Sequence, residues 1–559
     1  MAKDVYASRF WTKWYSDRAS QKLVYPPISV ASFFDRAIKK YPDRIALYNM
    51  DTSITFRELD SYANKFANFL IKSGLKKGDV VGINTLNSYP YYIAFLGIQK
   101  AGCIYTGVNP LQTPDELEYQ LNDCGAKALL TVDLFWGNVK QIISKTKVKT
   151  VAIAGLFDLL PTATEIPKNL LQEVSGIAIT RFTDVLKDMQ DKEVLVKTDL
   201  GAICWIQYTG GTTGRSKGAT LTNKNVVNYL VQWGAWINAQ LDKEEVLLTP
   251  FPMFIGAGML NNLICLGHAT TQVIITNPRD MDYLVKSIKA HKPNQLTGVP
   301  TIWLQLIKRP DLGSADFSNT RICCSGAAPF PAEYLDQFEK LVGKGKLMEA
   351  FGLTETLLVI GTPSKKYKLG SIGVPLPDID IKIVDPATRQ PLPLGEVGEI
   401  AARGPDMFMT GYFNKPEETA KIMQGGWLYT GDAGRMDEDG FVFIMDRLKD
   451  MVNVSGYKVF TLELDDVIMK HPDVDLAASV GIPDPKRPGS ERVATAIVLQ
   501  KAVAKSEEEK EKLLAYIKEK VAAYKVPKVI EFMDALPVSS AGKILKRELR
   551  ESLGKKLDQ

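Results

Sequence analysis

Segments of helical period alternate with short, almost wholly apolar runs from early in the chain, and this alternation constrains the fold more than any other feature. Thr55 and Glu58 stand three apart, the spacing at which a hydroxyl and a carboxylate satisfy each other's backbone amides at a helix start. Leu59, Ala63, Phe66, Ala67 and Leu70 then recur on one helical face, and Gly74 supplies a stop. Residues 80–83 predict a buried strand, 91–100 a helix and 104–108 a further strand. Apolar strands joined through helices are covered on both faces, so the expected class is α/β, with a large N-terminal domain of mixed, largely parallel sheets and flanking helices. The pattern changes near the end: residues 506–520 are rich in Glu and Lys at helical period, with strand-like runs at 476–482 and 493–499. A small, mobile α+β C-terminal domain is expected there, giving a large domain over 1–446, a charged hinge at 447–450 and a small domain over 451–559.

With 45% apolar and 24% charged residues, the chain falls outside collagen-like, wholly disordered and multi-span membrane classes. A net charge of +5 over 559 residues is too small to predict a nucleic-acid partner. The six cysteines show no C-x-x-C spacing and the three histidines no ligand spacing, so buried thiols in a reducing, cytoplasmic setting are expected, without a Cys/His metal centre. No apolar run reaches the ~18 residues of a membrane span. Phe10, Trp11, Trp14 and Tyr15, interspersed with basic groups, read first as an arm packed onto the body, with peripheral contact to a membrane surface as the alternative.

An apolar run over 202–207 leads into Tyr208-Thr209-Gly210-Gly211-Thr212-Thr213-Gly214-Arg215-Ser216-Lys217-Gly218. Glycines let backbone amides approach an anion, hydroxyls donate to phosphate oxygens, and Lys217 and Arg215 add positive charge. The spacing matches neither the Walker loop nor the dinucleotide fingerprint, so on composition alone a flexible surface loop rivals a polyphosphate site.

The loop resembles the signature of the adenylate-forming superfamily, which includes acyl-CoA synthetases, peptide-synthetase adenylation domains and firefly-type luciferases. Further motifs follow in that family's order: Ser325-Gly326-Ala327-Ala328-Pro329, Phe351-Gly352-Leu353-Thr354-Glu355, Tyr429-Thr430-Gly431-Asp432, the stretch 447–456, and Pro537-Val538-Ser539-Ser540-Ala541-Gly542-Lys543. The ordered set covers nearly the whole chain and is most like medium- and long-chain fatty acid–CoA ligases. The resemblance implies ATP, Mg2+ and coenzyme A as cofactors or co-substrates and a fatty acid as substrate. It leaves a homodimer open.

By that resemblance, Thr209, Gly210, Gly211, Thr212, Thr213, Gly214 and Lys217 surround the phosphates. Phe351 stacks on the adenine, the backbone of Gly326, Ala327 and Ala328 lines its edge, and Glu349, Ala350 and Gly352 also belong to the ATP/AMP site. Thr354 contacts phosphate, Glu355 holds Mg2+, and Asp432 and Arg447 hold the ribose. Lys543 reaches the carboxylate and α-phosphate in the first step, Lys449 is the hinge about which the small domain turns, and Gly456 lies on the path of coenzyme A. An acyl pocket is expected from Phe254, Ile255, Met259, Val299, Trp303, Cys323 and Cys324, whose side chains are apolar or uncharged. Two positions depart from the family pattern: Ile255 stands where many relatives carry His after Pro-x-Phe, and Ser216 where Pro is frequent. The first puts the carboxylate contacts and aryl or oxidative chemistry in doubt. The expected activity is ATP-dependent fatty acid–CoA ligation through acyl-AMP. The alternatives are transfer to a carrier protein or other acceptor, ligation of another apolar or aryl acid, and a non-catalytic lipid-binding or scaffold homologue.

Overall fold

The computed structural model describes residues 5–171, 174–209, 215–239, 243–326, 330–404, 406–538 and 544–555. Among these, two large sheets carry the first three quarters of the chain. One has eight strands and a parallel centre, in which Val80–Asn84, Ile104–Gly107, Ala128–Val132, Thr150–Ala154 and Ile203–Tyr208 run together. Its far edge is antiparallel, formed by Gly218–Thr222 and the short strand Gly411–Tyr412. The other has nine strands, and Gln295–Gly298, Ile322–Gly326 and Leu347–Leu353 are parallel neighbours within it.

The local chemistry explains these elements. Thr55 and Glu58 form a reciprocal capping box on the helix Phe56–Lys72, and Gly74 takes a positive φ just beyond it. The helix Tyr89–Lys100 is buried along its whole length, so it reads as apolar on every face; it packs on Phe56–Lys72 between the layers. Ser506 caps the helix Glu507–Lys520, where the acidic first turn and basic last turn complement the helix dipole.

The N-terminal arm packs onto the body. Trp11 is fully buried, the Trp14 indole donates to the Asp439 carbonyl at 3.0 Å, and the Tyr15 hydroxyl donates to the Pro375 carbonyl at 2.6 Å. No helix among the described residues is long and apolar enough to cross a membrane.

The C-terminal part is a small α+β unit, with a three-stranded sheet of Val474–Pro483, Glu491–Leu499 and Val529–Phe532 and its own apolar core. The strand Val442–Arg447 takes in the first residue of the stretch expected as a hinge, so Arg447 belongs to a sheet. The reason is pairing: Arg447 lies opposite Asp432 in the antiparallel ladder. Buried Asp446 accepts from the Thr461 amide at 2.5 Å and hydroxyl at 2.6 Å, joining that strand to the helix Thr461–Met469.

Candidate active site

The strand Ile203–Tyr208 turns back as Gly218–Thr222, and the two ends of the connecting loop are pinned together. The Thr209 amide donates to the Lys217 carbonyl at 3.0 Å, and the Lys217 amide donates to the Thr209 hydroxyl at 3.3 Å. Gly210, Gly211, Thr212, Thr213 and Gly214 lie outside the described residues. The Lys217 ammonium bonds the Glu418 carboxylate at 3.0 Å and sits 4.7 Å from the centre of the Tyr412 ring.

The hydroxyl of that tyrosine donates to Glu355 Oε1 at 2.5 Å. Glu355 and Thr354 are half-buried just beyond the strand Leu347–Leu353, and the Glu355 carbonyl accepts from the Met409 amide at 2.9 Å. Burial and the Glu355 charge push the Tyr412 phenol up, with Arg447 opposing them, so the arginine belongs to the same electrostatic group. Arg447 Nε bonds Asp432 Oδ1 at 2.9 Å, and Asp432 is buried. Two cations, Lys217 at the ring and Arg447 through its charge, therefore act on Tyr412, whose hydroxyl holds the Glu355 carboxylate. A hard oxygen ligand of this type suits Mg2+, which is commonly bound through one or two carboxylates together with substrate phosphates.

In the nine-stranded sheet, Gly326 pairs with Ala350 and Ser325 with Glu349. Ala327 and Ala328 lie outside the described residues, but Phe330, just after them, donates its amide to Glu349 Oε1 at 2.9 Å. Glu349 thus holds the backbone at Phe330. Burial pushes its carboxyl up to about 7. A carboxyl raised by folding holds its proton more tightly in the native chain, so stability is full below about 4.5 and falls as pH climbs to about 7. Glu349→Gln is expected to flatten this slope by up to ~3 kcal/mol across the window. Asp158, Asp465 and Asp466, also raised by burial, retain the remainder. Urea melts with identical pH slopes in both chains would contradict the assignment.

The expected acyl-pocket residues divide. Phe254, Met259 and, at its margin, Ile255 and Cys324 share the main core, whereas Trp303 and Cys323 pack in a separate cluster with Phe338. Trp303 meets Phe338 edge to face at 5.4 Å. The cause is strand geometry: successive residues of Ile322–Gly326 face opposite sides, so Cys323 and Cys324 cannot line one cavity. Val299, also buried, immediately precedes the helix Pro300–Ile307. Burial and the Glu349 charge push the Cys324 thiol up to about 12, leaving it unsuited to act as a nucleophile. Lys449 and Gly456 are exposed, Gly456 at the turn between Val452–Val454 and Tyr457–Val459; Lys543 lies outside the described residues.

Tyr412 and Glu418 were not singled out by the sequence, because their partners are 57 and 201 positions away. A cleft of about 300 Å3 lined by Lys77, Gln99, Cys103 and Asn223 opens at the starts of the parallel strands and contains none of the candidate residues. The candidate site lies where such strands end, the usual location for ligands in α/β sheets.

Residues 34–413 match the family model described as AMP-binding enzyme, and residues 463–543 match the AMP-binding enzyme C-terminal domain. The chain belongs to the AMP-binding enzyme family. This AMP-binding enzyme is 37% identical over 547 residues to a long-chain-fatty-acid–CoA ligase of Escherichia coli O6:H1, covering 95% of each chain. It is 34% identical over 560 residues to the long-chain-fatty-acid–CoA ligase of Bacillus subtilis, covering 97% of each. Among solved structures, the anthranilate CoA ligase AuaEII in complex with anthranoyl-AMP superposes with a TM-score of 0.85 at 25% identity, over 97% of this chain and 100% of that one.

Proposed function

We propose that this enzyme is an ATP-dependent fatty acid–CoA ligase, converting carboxylate and ATP to acyl-AMP and pyrophosphate, and then acyl-AMP and coenzyme A to acyl-CoA and AMP. The observation that carries the reading is the group formed by Lys217, Tyr412, Glu355 and Arg447, next to the buried Asp432. A carboxylate attacking a triphosphate brings two anions together, and oriented cations offset that repulsion. Likeness to the two bacterial ligases over at least 95% of the chain favours a long-chain acid as substrate.

Mg2+, held by Glu355, would neutralise phosphate charge. Lys217 and the loop amides bind the phosphates, Asp432 and Arg447 orient the ribose, and Phe351 carries the adenine. Lys543 brings its ammonium to the carboxylate during the first step. In the second step the small domain, residues 451–559, turns about the 447–450 hinge at Lys449, and the thiol enters past Gly456. The thiol of coenzyme A is the nucleophile, consistent with cysteines that burial raises out of the reactive range.

Phe254, Met259 and Cys324 supply the apolar wall of the acyl site. A panel of saturated and aryl acids with ATP and coenzyme A, read by AMP release, tests the reading. Turnover should be highest with medium to long saturated chains; a preference for aryl acids, or AMP release independent of coenzyme A, would refute it.

A further inference from the structure

We infer that Tyr412 is a positioning residue for adenylation, a single side chain that aims the Glu355 carboxylate with its hydroxyl and supports the Lys217 ammonium with its ring. The inference rests on the reading of the site given above. Tyr412 belongs to the two-residue strand Gly411–Tyr412, which pairs with Gly218–Thr222 so that Tyr412 faces Ala219. Its backbone is therefore fixed to the eight-stranded sheet two positions beyond Lys217. Its hydroxyl reaches Glu355, which follows a strand of the nine-stranded sheet, at 2.5 Å. One residue thus bridges the sheet that presents the phosphate-side cation and the sheet that presents the acid.

The bridge is secured from several directions. The Tyr412 amide donates to the Thr419 hydroxyl at 2.8 Å, the Thr220 hydroxyl donates to the Gly411 carbonyl at 2.6 Å, and the Met409 amide holds the Glu355 carbonyl at 2.9 Å. Tyr412 is 8% exposed, so packing restricts its side chain. A glutamate without such a contact samples several rotamers, and ordering it costs free energy at the moment of binding.

The two partners of Lys217 differ in kind. Glu418 is an anion, also bonded by Lys421, and a polyphosphate competes with it directly for the ammonium. The Tyr412 ring is neutral and attracts the ammonium through its quadrupole, so it does not compete with phosphate and its contact persists when nucleotide enters. Glu418 therefore opposes polyphosphate binding, whereas Tyr412 supports it.

Equilibrium ATP binding without metal, measured calorimetrically, and Mn2+ binding to the protein–ATP complex, measured by electron paramagnetic resonance, separate these roles. Tyr412→Phe keeps the ring and removes the hydroxyl. It should bind metal-free ATP within about two-fold of the parent and Mn2+ in the complex about ten-fold more weakly, the range seen when a ligand's supporting hydrogen bond is lost. Tyr412→Leu should lose both, weakening metal-free ATP a further few-fold, and Glu418→Gln should tighten metal-free ATP. Tyr412→Phe that binds Mn2+ as the parent does, or that loses ATP and Mn2+ equally, would overturn the inference while leaving the site reading intact. A parent chain that binds no ATP would overturn the site reading itself.

Discussion

Gly352→Ala is expected to give a chain that melts far below the parent and no longer binds nucleotide. A Cβ built on Gly352 would stand 1.8 Å from the Leu357 carbonyl oxygen, 2.7 Å from its carbonyl carbon and 2.8 Å from the Leu358 Cα. All three are backbone atoms of the antiparallel partner strand Leu357–Gly361, whose ladder with Leu347–Leu353 shifts register at Phe351 and Gly352. Leu357 already has a positive φ, so the tight turn between them has little room to adjust. Relief requires parting the strands, and a cost above ~4 kcal/mol is expected. Because Thr354 and Glu355 form this turn and Phe351 lies beside it, the damage falls directly on the candidate site. Gly456→Ala provides the contrast: no atom lies within 4 Å of its added Cβ, and its φ of +92° makes the change a conformational strain alone, of about 1 kcal/mol. Thermal melts of the two variants decide the matter, and a Gly352→Ala melt matching the parent would show that the turn is not tight.

Lys543→Ala should reduce acyl-AMP formation by about a thousand-fold, the scale lost when a transition-state charge contact is removed, and leave thioester formation from supplied acyl-AMP nearly unchanged. The two half-reactions differ in electrostatic demand. The first joins a carboxylate to a triphosphate, and a compact ammonium on a flexible stem can neutralise that encounter and then withdraw. The second begins from an already activated acyl group with AMP as leaving group, and a thiol needs no such cation. Measuring both half-reactions on one preparation separates the roles. Equal loss in both would remove Lys543 from the first step and point to a folding defect.

Much of the fold was readable from local chemistry. The capping box at Thr55 and Glu58, the fully buried strands around Val80 and Ile104, and the Ser506-capped helix each follow from side-chain and backbone forces within a few residues. Arg447 reads in sequence as the start of a charged hinge, and only its pairing opposite Asp432 places it at the end of a strand. Tyr412 and Glu418 carry no local signature; only the pairing of Gly411–Tyr412 with Gly218–Thr222 brings them to Lys217. Cys323 and Cys324 fall in different packing clusters for a more elementary reason, since alternation along a strand assigns neighbouring residues to opposite faces. Motif resemblance identifies residue types but does not specify the face on which each side chain lies.

This chain is expected to activate a fatty acid as its adenylate before any thiol is involved. Exchange of labelled pyrophosphate into ATP tests it most directly. The exchange should require both a fatty acid and a divalent cation and should proceed without coenzyme A. Exchange that ignores the acid, or that appears only when coenzyme A is present, would rule out this order of steps.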